Sequence, residues 1–216
     1  PTTSSAASDV YKRQSYLRVN SRCVVPTLVI DGKVTTDTIN ILDLLATRFG
    51  TANQRFETSA VERALVNYWV DKAAGLFIEA LTYGHVEGVK KPFPIGNASD
   101  SGRSHQDKVD LLTGLIETYK NDPTLKAAYQ KKRAVIEATK EAMVAPGQMS
   151  AIVDATKVEL EDLAHQLASG QFADGGWLAS DAFSLADVQW GAVLYRLQWV
   201  GLQPLLWEKG SIISAY

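Results

Sequence analysis

Strand-forming patterns stop early in this chain, and the apolar residues that follow them are spaced as in helices. Thr27–Ile30 is β-branched and apolar, Asp31-Gly32 is a strong tight-turn signal, and residues 33–35 predict the returning strand of a hairpin. After Gly50, apolar residues recur at helical spacing. The order predicts an α+β chain in which a short α/β piece precedes an all-helical domain.

A series of helices is predicted after the hairpin. The first begins behind Asp37 and Thr38, whose side chains can cap it, and Gly50 closes it. Residues 85–104 contain several prolines and glycines, which predict an irregular loop. The other predicted helices span residues 58–83, 106–119, 123–144 and 148–168, and a last one starts at Ser184.

Composition excludes several classes of protein. The chain has 22 Lys+Arg against 24 Asp+Glu, so it lacks the excess of positive charge that nucleic-acid binding needs. The single cysteine, Cys23, excludes an intrachain disulfide framework and predicts a cytoplasmic protein. No apolar run is long enough for a transmembrane segment, and the three scattered histidines predict no metal site.

Both ends of the chain resemble cut ends. Residues 1–14 are small and polar without periodicity, so we expect them to be disordered or non-native. The apolar run 211–216 lacks a helix stop signal, which leaves open whether the parent protein continues beyond Tyr216.

A first constellation of residues surrounds the hairpin. A cis Val25-Pro26 bond would suit a tight bend before the strand, and the backbone N–H and C=O of Val25 would then be free for an extended peptide ligand. The helix that opens at Asp37 and Thr38 directs unpaired N–H groups to the same area, which suits a carboxylate. The Asp37 carboxylate would meet an amine of the same peptide. The alternative is that Pro26 ends a loop and Asp37-Thr38 only caps a helix.

A second constellation is structural. Ser184 and Asp187 have the spacing of a capping box, in which each side chain accepts from the other residue's backbone N–H. The helix that follows is apolar on nearly all sides, which predicts a central position in the core.

Together the two constellations resemble the glutathione transferase family, in order and in separation. The run from Tyr16 through Val25-Pro26 to Asp31-Gly32 is similar to the family's segment around its cis-proline, and residues 183–187 are similar to the capping box of its buried core helix. The tetrachlorohydroquinone-dehalogenase-like, β-etherase-like and ganglioside-induced differentiation-associated branches are the most similar.

The resemblance implies a fold, a ligand and domain limits. Residues 15–50 would be the C-terminal half of a thioredoxin-like domain, and 51–216 an all-helical domain with an insertion around 86–148. Val25, Pro26, Asp37 and Thr38 would bind glutathione as co-substrate, without a metal. The intact homodimer would transfer glutathione to a hydrophobic electrophile in detoxification.

Departures from the family concern catalysis. The strand–helix–strand unit that carries the family's thiol-activating Ser, Cys or Tyr is missing, so we expect an N-terminally truncated chain and assign no catalytic residue. Cys23 stands where the family often has glycine, and we expect it to be a buried structural thiol.

The electrophile site is open to two interpretations. Tyr68, Trp69 and Tyr195 could line an apolar substrate pocket, but aromatics at helical spacing are more often core. The long insertion also leaves open a non-catalytic interaction module with this fold. A third possibility is that the chain alone, without the missing unit, neither catalyses nor binds.

Overall fold

The computed structural model describes residues 14–49, 60–93, 98–169, 177–179 and 182–216. Its strands are β1 (Thr27–Ile30) and β2 (Lys33–Thr36). Its helices are α1 (Gln14–Val19), α2 (Thr38–Phe49), α3 (Ala60–Gly75), α4 (Ile78–Tyr83), α5 (Ala98–Thr118), α6 (Pro123–Val144), α7 (Gln148–Ala168), α8 (Leu185–Trp199), α9 (Gln203–Leu206) and α10 (Ile212–Ala215).

The predicted α+β class is confirmed. Strands β1 and β2 pair antiparallel, with Thr27 opposite Thr36 and Ile30 opposite Lys33. Asp31 and Gly32 join them with φ angles of 50° and 73°, the left-handed values that a two-residue hairpin turn requires. Helix α2 then packs on β2, as expected for the C-terminal half of a thioredoxin-like domain, and every other regular element among the described residues is a helix.

The chain divides into two compact units. Unit 1 comprises Pro1–Gly50 and Arg103–Lys140, and unit 2 comprises Thr51–Gly102 and Glu141–Tyr216. The domain limits from the sequence, 15–50 and 51–216 with an insertion around 86–148, stay a prediction.

Unit 1 has a core that joins α1 to the α5–α6 region. Leu17 of α1 and the following Cys23 are buried together with apolar residues of α5 and α6, namely Val109, Leu112, Leu125, Ala128, Tyr129 and Ile136. The Gln14 side-chain amide adds a 2.5 Å hydrogen bond to the Tyr119 hydroxyl. The expectation of disorder for residues 1–14 falls outside the described residues, except that Gln14 begins α1.

Unit 2 has a core built on the packing of α3 against α8. The rings of Trp69 and Trp190 meet edge to face with centroids 6.1 Å apart, and the Trp190 indole N–H donates to the Trp69 carbonyl at 2.9 Å. Helix α8 is therefore central, as its apolar sequence predicts. Ser184 is its N-cap and forms the reciprocal capping pair with Asp187.

Helix boundaries differ from the prediction in two places. The single helix predicted over 58–83 is two helices, because the backbone leaves helical geometry at Phe77, which has ψ 62° and precedes α4. The loop predicted over 85–104 ends earlier, since α5 already begins at Ala98. Gly102 lies inside that helix, where an added Cβ would come within 2.9 Å of Val144 Cγ1, so this glycine marks close packing and not a chain break.

Some of the remaining helices were predicted from the sequence and others were missed. Helices α6 and α7 have the predicted bounds, whereas α1, α9 and α10 lack a strong sequence signal and were not predicted. Gly50, which was predicted to close α2, lies outside the described residues, as does the pair Gly175-Gly176, which predicts a chain break before α8. Within the described part of the chain, no helix combines the length and apolar character needed to cross a membrane.

Candidate functional site

A buried polar cluster shapes the loop that leads into β1. The side-chain amide of Asn20 donates to the Val24 carbonyl and to Thr27 Oγ1, both at 2.8 Å. The Tyr16 hydroxyl donates to the same Val24 carbonyl at 2.5 Å and lies 2.7 Å from Thr27 Oγ1. Because Asn20 is only 3% exposed, these bonds hold the backbone of residues 20–27 in one arrangement.

The residues that follow this cluster offer backbone groups to a ligand. The Val25-Pro26 bond is cis, and Val25 is 55% exposed. Among the described residues, neither the N–H nor the C=O of Val25 has a hydrogen-bond partner. An extended peptide could therefore pair with both groups, in the manner of an added strand.

Asp37 lies in a backbone conformation that few side chains adopt. Its φ is +81°, in the left-handed region, where aspartate is tolerated better than most residues. One carboxylate oxygen, Oδ1, accepts the Ile39 N–H at 3.2 Å and so caps α2. The other, Oδ2, lies 3.5 Å from Nη1 of Arg22. One oxygen of Asp37 thus serves the helix, and the other remains available to a cation.

Thr38 is the first residue of α2 and is exposed. Neither its hydroxyl nor its N–H has a partner in the part of the chain that the structure describes. Both donors lie at a helix N-terminus, where the macrodipole favours an anion. Thr38 is therefore equipped to bind a carboxylate.

The hairpin register brings the four predicted binding residues to one end of the sheet. Thr27 is paired with Thr36, so Pro26 directly precedes and Asp37 directly follows two residues that face each other across the strands. Such paired residues have Cα atoms about 5 Å apart. Free backbone groups, a carboxylate and a hydroxyl with its amide thus share a small region of unit 1, suited to a short peptide with a free amine and carboxylate.

Cys23 lies beside this region but is not exposed to it. It is 2% exposed, and burial raises the pKa of its thiol to about 11, against a weaker opposing effect of the Lys132 charge. A thiol with such a pKa is almost entirely protonated at neutral pH and is a poor nucleophile. This environment agrees with the structural role expected for Cys23.

The three residues expected at a substrate pocket have different environments. Trp69 is buried in the core of unit 2, and its ring meets that of Tyr68 edge to face at 5.3 Å. Tyr68 is half exposed and borders a cavity of about 480 Å³ between α3 and α7. Tyr195 on α8 is 71% exposed and has no ring contact with either among the described residues. The structure therefore joins Tyr68 to a cavity and leaves Tyr195 on the surface of unit 2.

Lys72 is a feature of this cavity that the sequence analysis missed. Its ammonium lies 2.6 Å from Glu159 Oε2 and 2.7 Å from Asp162 Oδ2, and 5.4 Å from the centroid of the Tyr68 ring. Burial lowers the pKa of Lys72, but hydrogen bonds to Asp162 and Glu159 outweigh it and hold the pKa above its usual range. The four-residue spacing of Tyr68 and Lys72 was visible in the sequence, whereas the two acidic partners on α7 were not.

Within the described ranges, no group of three or more His, Cys, Asp or Glu side chains could hold a metal ion. Arg22, Asn20 and Tyr16 are the residues beside the hairpin that the sequence analysis did not assign to the site. Asn20 and Tyr16 belong to the run that carried the family resemblance, but their contacts with Val24 depend on the folded loop.

Comparison with known proteins finds relatives that match segments of different length in this chain. No family model matches the chain. The chain is similar to tetrachloro-p-hydroquinone reductive dehalogenase of Sphingobium chlorophenolicum, 26% identical over 203 residues, which are 93% of this chain and 73% of that protein. It is 32% identical over 107 residues to 2,5-dichlorohydroquinone reductive dechlorinase of Sphingobium indicum, covering 50% of this chain and 30% of that protein.

A third relative matches a shorter segment. Ganglioside-induced differentiation-associated protein 1-like 1 of Mus musculus is 40% identical over 65 residues, which are 30% of this chain and 17% of that protein.

Proposed function

We propose that this chain, whose relatives support its assignment to the glutathione transferase family, binds glutathione beside the β1–β2 hairpin and presents the thiol to a hydrophobic electrophile. The observation that carries the proposal is the group of free polar atoms at one end of this hairpin. Val25 offers an unpaired backbone N–H and C=O, and Thr38 offers an unpaired hydroxyl and N–H among the described residues.

The cysteine and γ-glutamyl residues of glutathione have proposed partners. The peptide backbone around its cysteine pairs with Val25 on the outer side of the bend at Pro26. The α-carboxylate of its γ-glutamyl residue accepts from the hydroxyl and N–H of Thr38. The α-ammonium binds Asp37 Oδ2, the oxygen that does not cap α2.

The proposed chemistry is nucleophilic attack by the glutathione thiolate. The sulfur forms a bond to an electrophilic carbon, and the leaving group departs with the electron pair of the broken bond. Two relatives are named as dehalogenases of chlorinated hydroquinones, so we propose a halogenated aromatic ring as the class of electrophile. The reaction would be accelerated because the thiolate is stabilised and because it is held close to the electrophilic carbon. No residue of the chain is assigned to activate the thiol.

The setting of this activity is also a proposal. We expect a homodimer in the cytoplasm that serves detoxification, without a metal and without nucleic acid as a partner. We propose that Tyr68, which borders the cavity between α3 and α7, contacts the electrophile, with the neighbouring Trp69 as a buried support and Tyr195 as a surface contact.

The binding site is tested by removing its two polar side chains together. We expect the double variant Asp37→Ala, Thr38→Ala to lose glutathione affinity by at least tenfold in isothermal titration calorimetry, because charge-assisted hydrogen bonds contribute about 1.5–3 kcal/mol each. Unchanged affinity in this variant would contradict the assignment of the site.

Two controls separate binding from folding. Asp43→Ala with Thr47→Ala changes the same residue types on the exposed side of the same helix and should leave affinity unchanged. Asp37→Asn keeps a helix-capping residue that tolerates positive φ and removes only the charge. It should weaken glutathione binding while circular dichroism reports an unchanged melting temperature.

A further inference from the structure

We infer that Arg22 binds the α-carboxylate of the γ-glutamyl residue of glutathione, beside the amine that Asp37 binds. This end of the hairpin would then recognise an amino acid head group by both of its charges. The inference rests on the proposed function and adds a ligand-binding residue to the proposed site. It is carried by the place of Arg22 in the loop and by its geometry with Asp37.

The backbone of Arg22 is fixed while its side chain is exposed. The Arg22 N–H donates to Oδ1 of the buried Asn20 at 3.0 Å, and the next residue, Cys23, is buried. The Arg22 side chain is 53% exposed. The loop therefore fixes the Cα position of Arg22 and leaves the guanidinium accessible to a ligand. Because the backbone is already ordered, binding costs less conformational entropy.

Arg22 has unused capacity for hydrogen bonding. Its guanidinium has five N–H donors, and within the described residues it makes one polar contact, between Nη1 and Asp37 Oδ2 at 3.5 Å. Charge-assisted N–H···O bonds are normally about 2.7–2.9 Å long. The pair is thus long for its type, and the guanidinium can bind a second carboxylate without giving up a strong bond.

The pair is complementary to a zwitterion. The ammonium and the carboxylate of an amino acid are attached to one carbon atom, so a site for both needs opposite charges side by side. Asp37 Oδ2 and the Arg22 guanidinium have this arrangement, and a guanidinium can bind a carboxylate through two parallel hydrogen bonds. Thr38 then contributes neutral donors to the same carboxylate, and Arg22 contributes the positive charge.

A competing explanation predicts the opposite effect. If Arg22 only neutralises Asp37 in the free protein, it competes with the ligand amine, and its removal should strengthen binding. Exposed pairs of this kind contribute little to stability, so changing Arg22 should leave the fold intact.

The test compares two ligands on three proteins. Glutathione and 4-aminobutyryl-cysteinyl-glycine, which lacks only the α-carboxylate, are titrated by NMR into the 216-residue protein, its Arg22→Gln variant and its Arg18→Gln variant. Arg18 is a matched control, because it is an exposed arginine on α1 that pairs with Asp122 at 3.0 Å. We expect Arg22→Gln to weaken glutathione binding about tenfold, in line with a lost charge-assisted bond, and to leave the analogue's affinity unchanged. Arg18→Gln should change neither.

The other outcomes have distinct meanings. An equal loss for both ligands, no loss, or a gain in glutathione affinity with Arg22→Gln overturns the inference and leaves the proposed function standing. Failure of the unchanged protein to bind glutathione contradicts the proposed function, and the inference falls with it. Thermal melts of all three proteins separate a local effect from unfolding.

Discussion

Asp187 does more at the residue scale than cap a helix. Its carboxylate accepts hydrogen bonds from the Ser184 N–H and hydroxyl at 2.7 and 2.6 Å, from the Leu178 N–H at 2.9 Å and from the Tyr216 hydroxyl at 2.7 Å. Because Asp187 is buried, each of these donors offsets part of the cost of removing its charge from water. One carboxylate therefore ties the start of α8 to the residues before it and to those after α10.

Removing the hydroxyl of Tyr216 tests this network. We expect Tyr216→Phe to lower the free energy of unfolding by about 1–2 kcal/mol, because a buried carboxylate loses a donor, and Asp187→Ala to lower it by about 3 kcal/mol or more. Urea denaturation measures both. Tyr195→Phe is the control, since Tyr195 is exposed and should give no change. Equal effects of the two tyrosine changes would contradict the role given to Tyr216.

The same contact has a pH dependence. Burial, followed by the Asp187 charge, raises the pKa of Tyr216 above its usual range. A tyrosine in the unfolded chain ionises near pH 10, whereas Tyr216 in the fold stays protonated there. Its contribution to stability is therefore complete below pH 10 and declines as the pH rises further.

At the scale of elements, Lys91 attaches the segment after α4 to that helix. Its ammonium donates to the carbonyl of Leu81 in the last turn of α4, where the helix dipole favours a positive charge. Lys91 is 8% exposed, and this burial lowers its pKa to about 8. No carboxylate pairs with it among the described residues, so the fold carries the cost of a buried charge.

This cost predicts a rise in stability with pH. Between about pH 8 and pH 10.5 the unfolded chain keeps the Lys91 proton and the folded chain releases it, so the free energy of unfolding increases through this window. Relative to Lys91→Met, the unchanged protein should gain about 2 kcal/mol from pH 7 to pH 10. Lys90→Met, at the exposed neighbour, should run parallel to the unchanged protein in urea denaturation at each pH. If the free energy of unfolding of Lys91→Met instead changes with pH in parallel with that of the unchanged protein, the pKa of Lys91 does not differ between the folded and unfolded chain.

Elements with local signals were predictable, and those that depend on distant packing were not. Pro123 and the pair Pro146-Gly147 gave α6 and α7 their correct bounds, because proline and glycine act on their own backbone. Gly102 predicted a break and instead lies in α5 against Val144, a contact across many residues of sequence. The break before α4 at Phe77 carries no proline and was missed.

In the candidate site too, local features were predictable from the sequence and contacts between distant residues were not. The capping role of Asp37 was visible because a cap involves residues two or three positions apart. The position of Arg22 beside Asp37 depends on the hairpin, and that of Lys72 beside Glu159 depends on the packing of α3 near α7. Neither follows from the spacing of residues along the chain.

At the scale of the whole molecule, binding and turnover are separate questions. Unit 1 contains the proposed glutathione site, and unit 2 contains the cavity beside Tyr68. No thiol-activating residue is assigned, and one relative is named for differentiation and not for a reaction. The protein could therefore bind glutathione as an interaction module and catalyse nothing.

Turnover distinguishes the two functions. With glutathione and 1-chloro-2,4-dinitrobenzene we expect product formation above the uncatalysed rate, because a bound thiolate gains from proximity to the ring. The double variant Asp37→Ala, Thr38→Ala should return the rate to background, and Asp43→Ala with Thr47→Ala should not. Glutathione binding without turnover of this or several other electrophiles would favour the interaction module.

The division into two units also divides the chain's chromophores. All five tryptophans, residues 69, 177, 190, 199 and 207, belong to unit 2, whereas unit 1 has only tyrosines as its larger absorbing side chains. Fluorescence excited at 295 nm thus originates from the tryptophans of unit 2 alone. Because Trp69 and Trp190 are buried, the emission maximum is sensitive to loss of that core. The native protein therefore contains its own label for following the unfolding of unit 2, because unit 1 contributes no tryptophan to this emission.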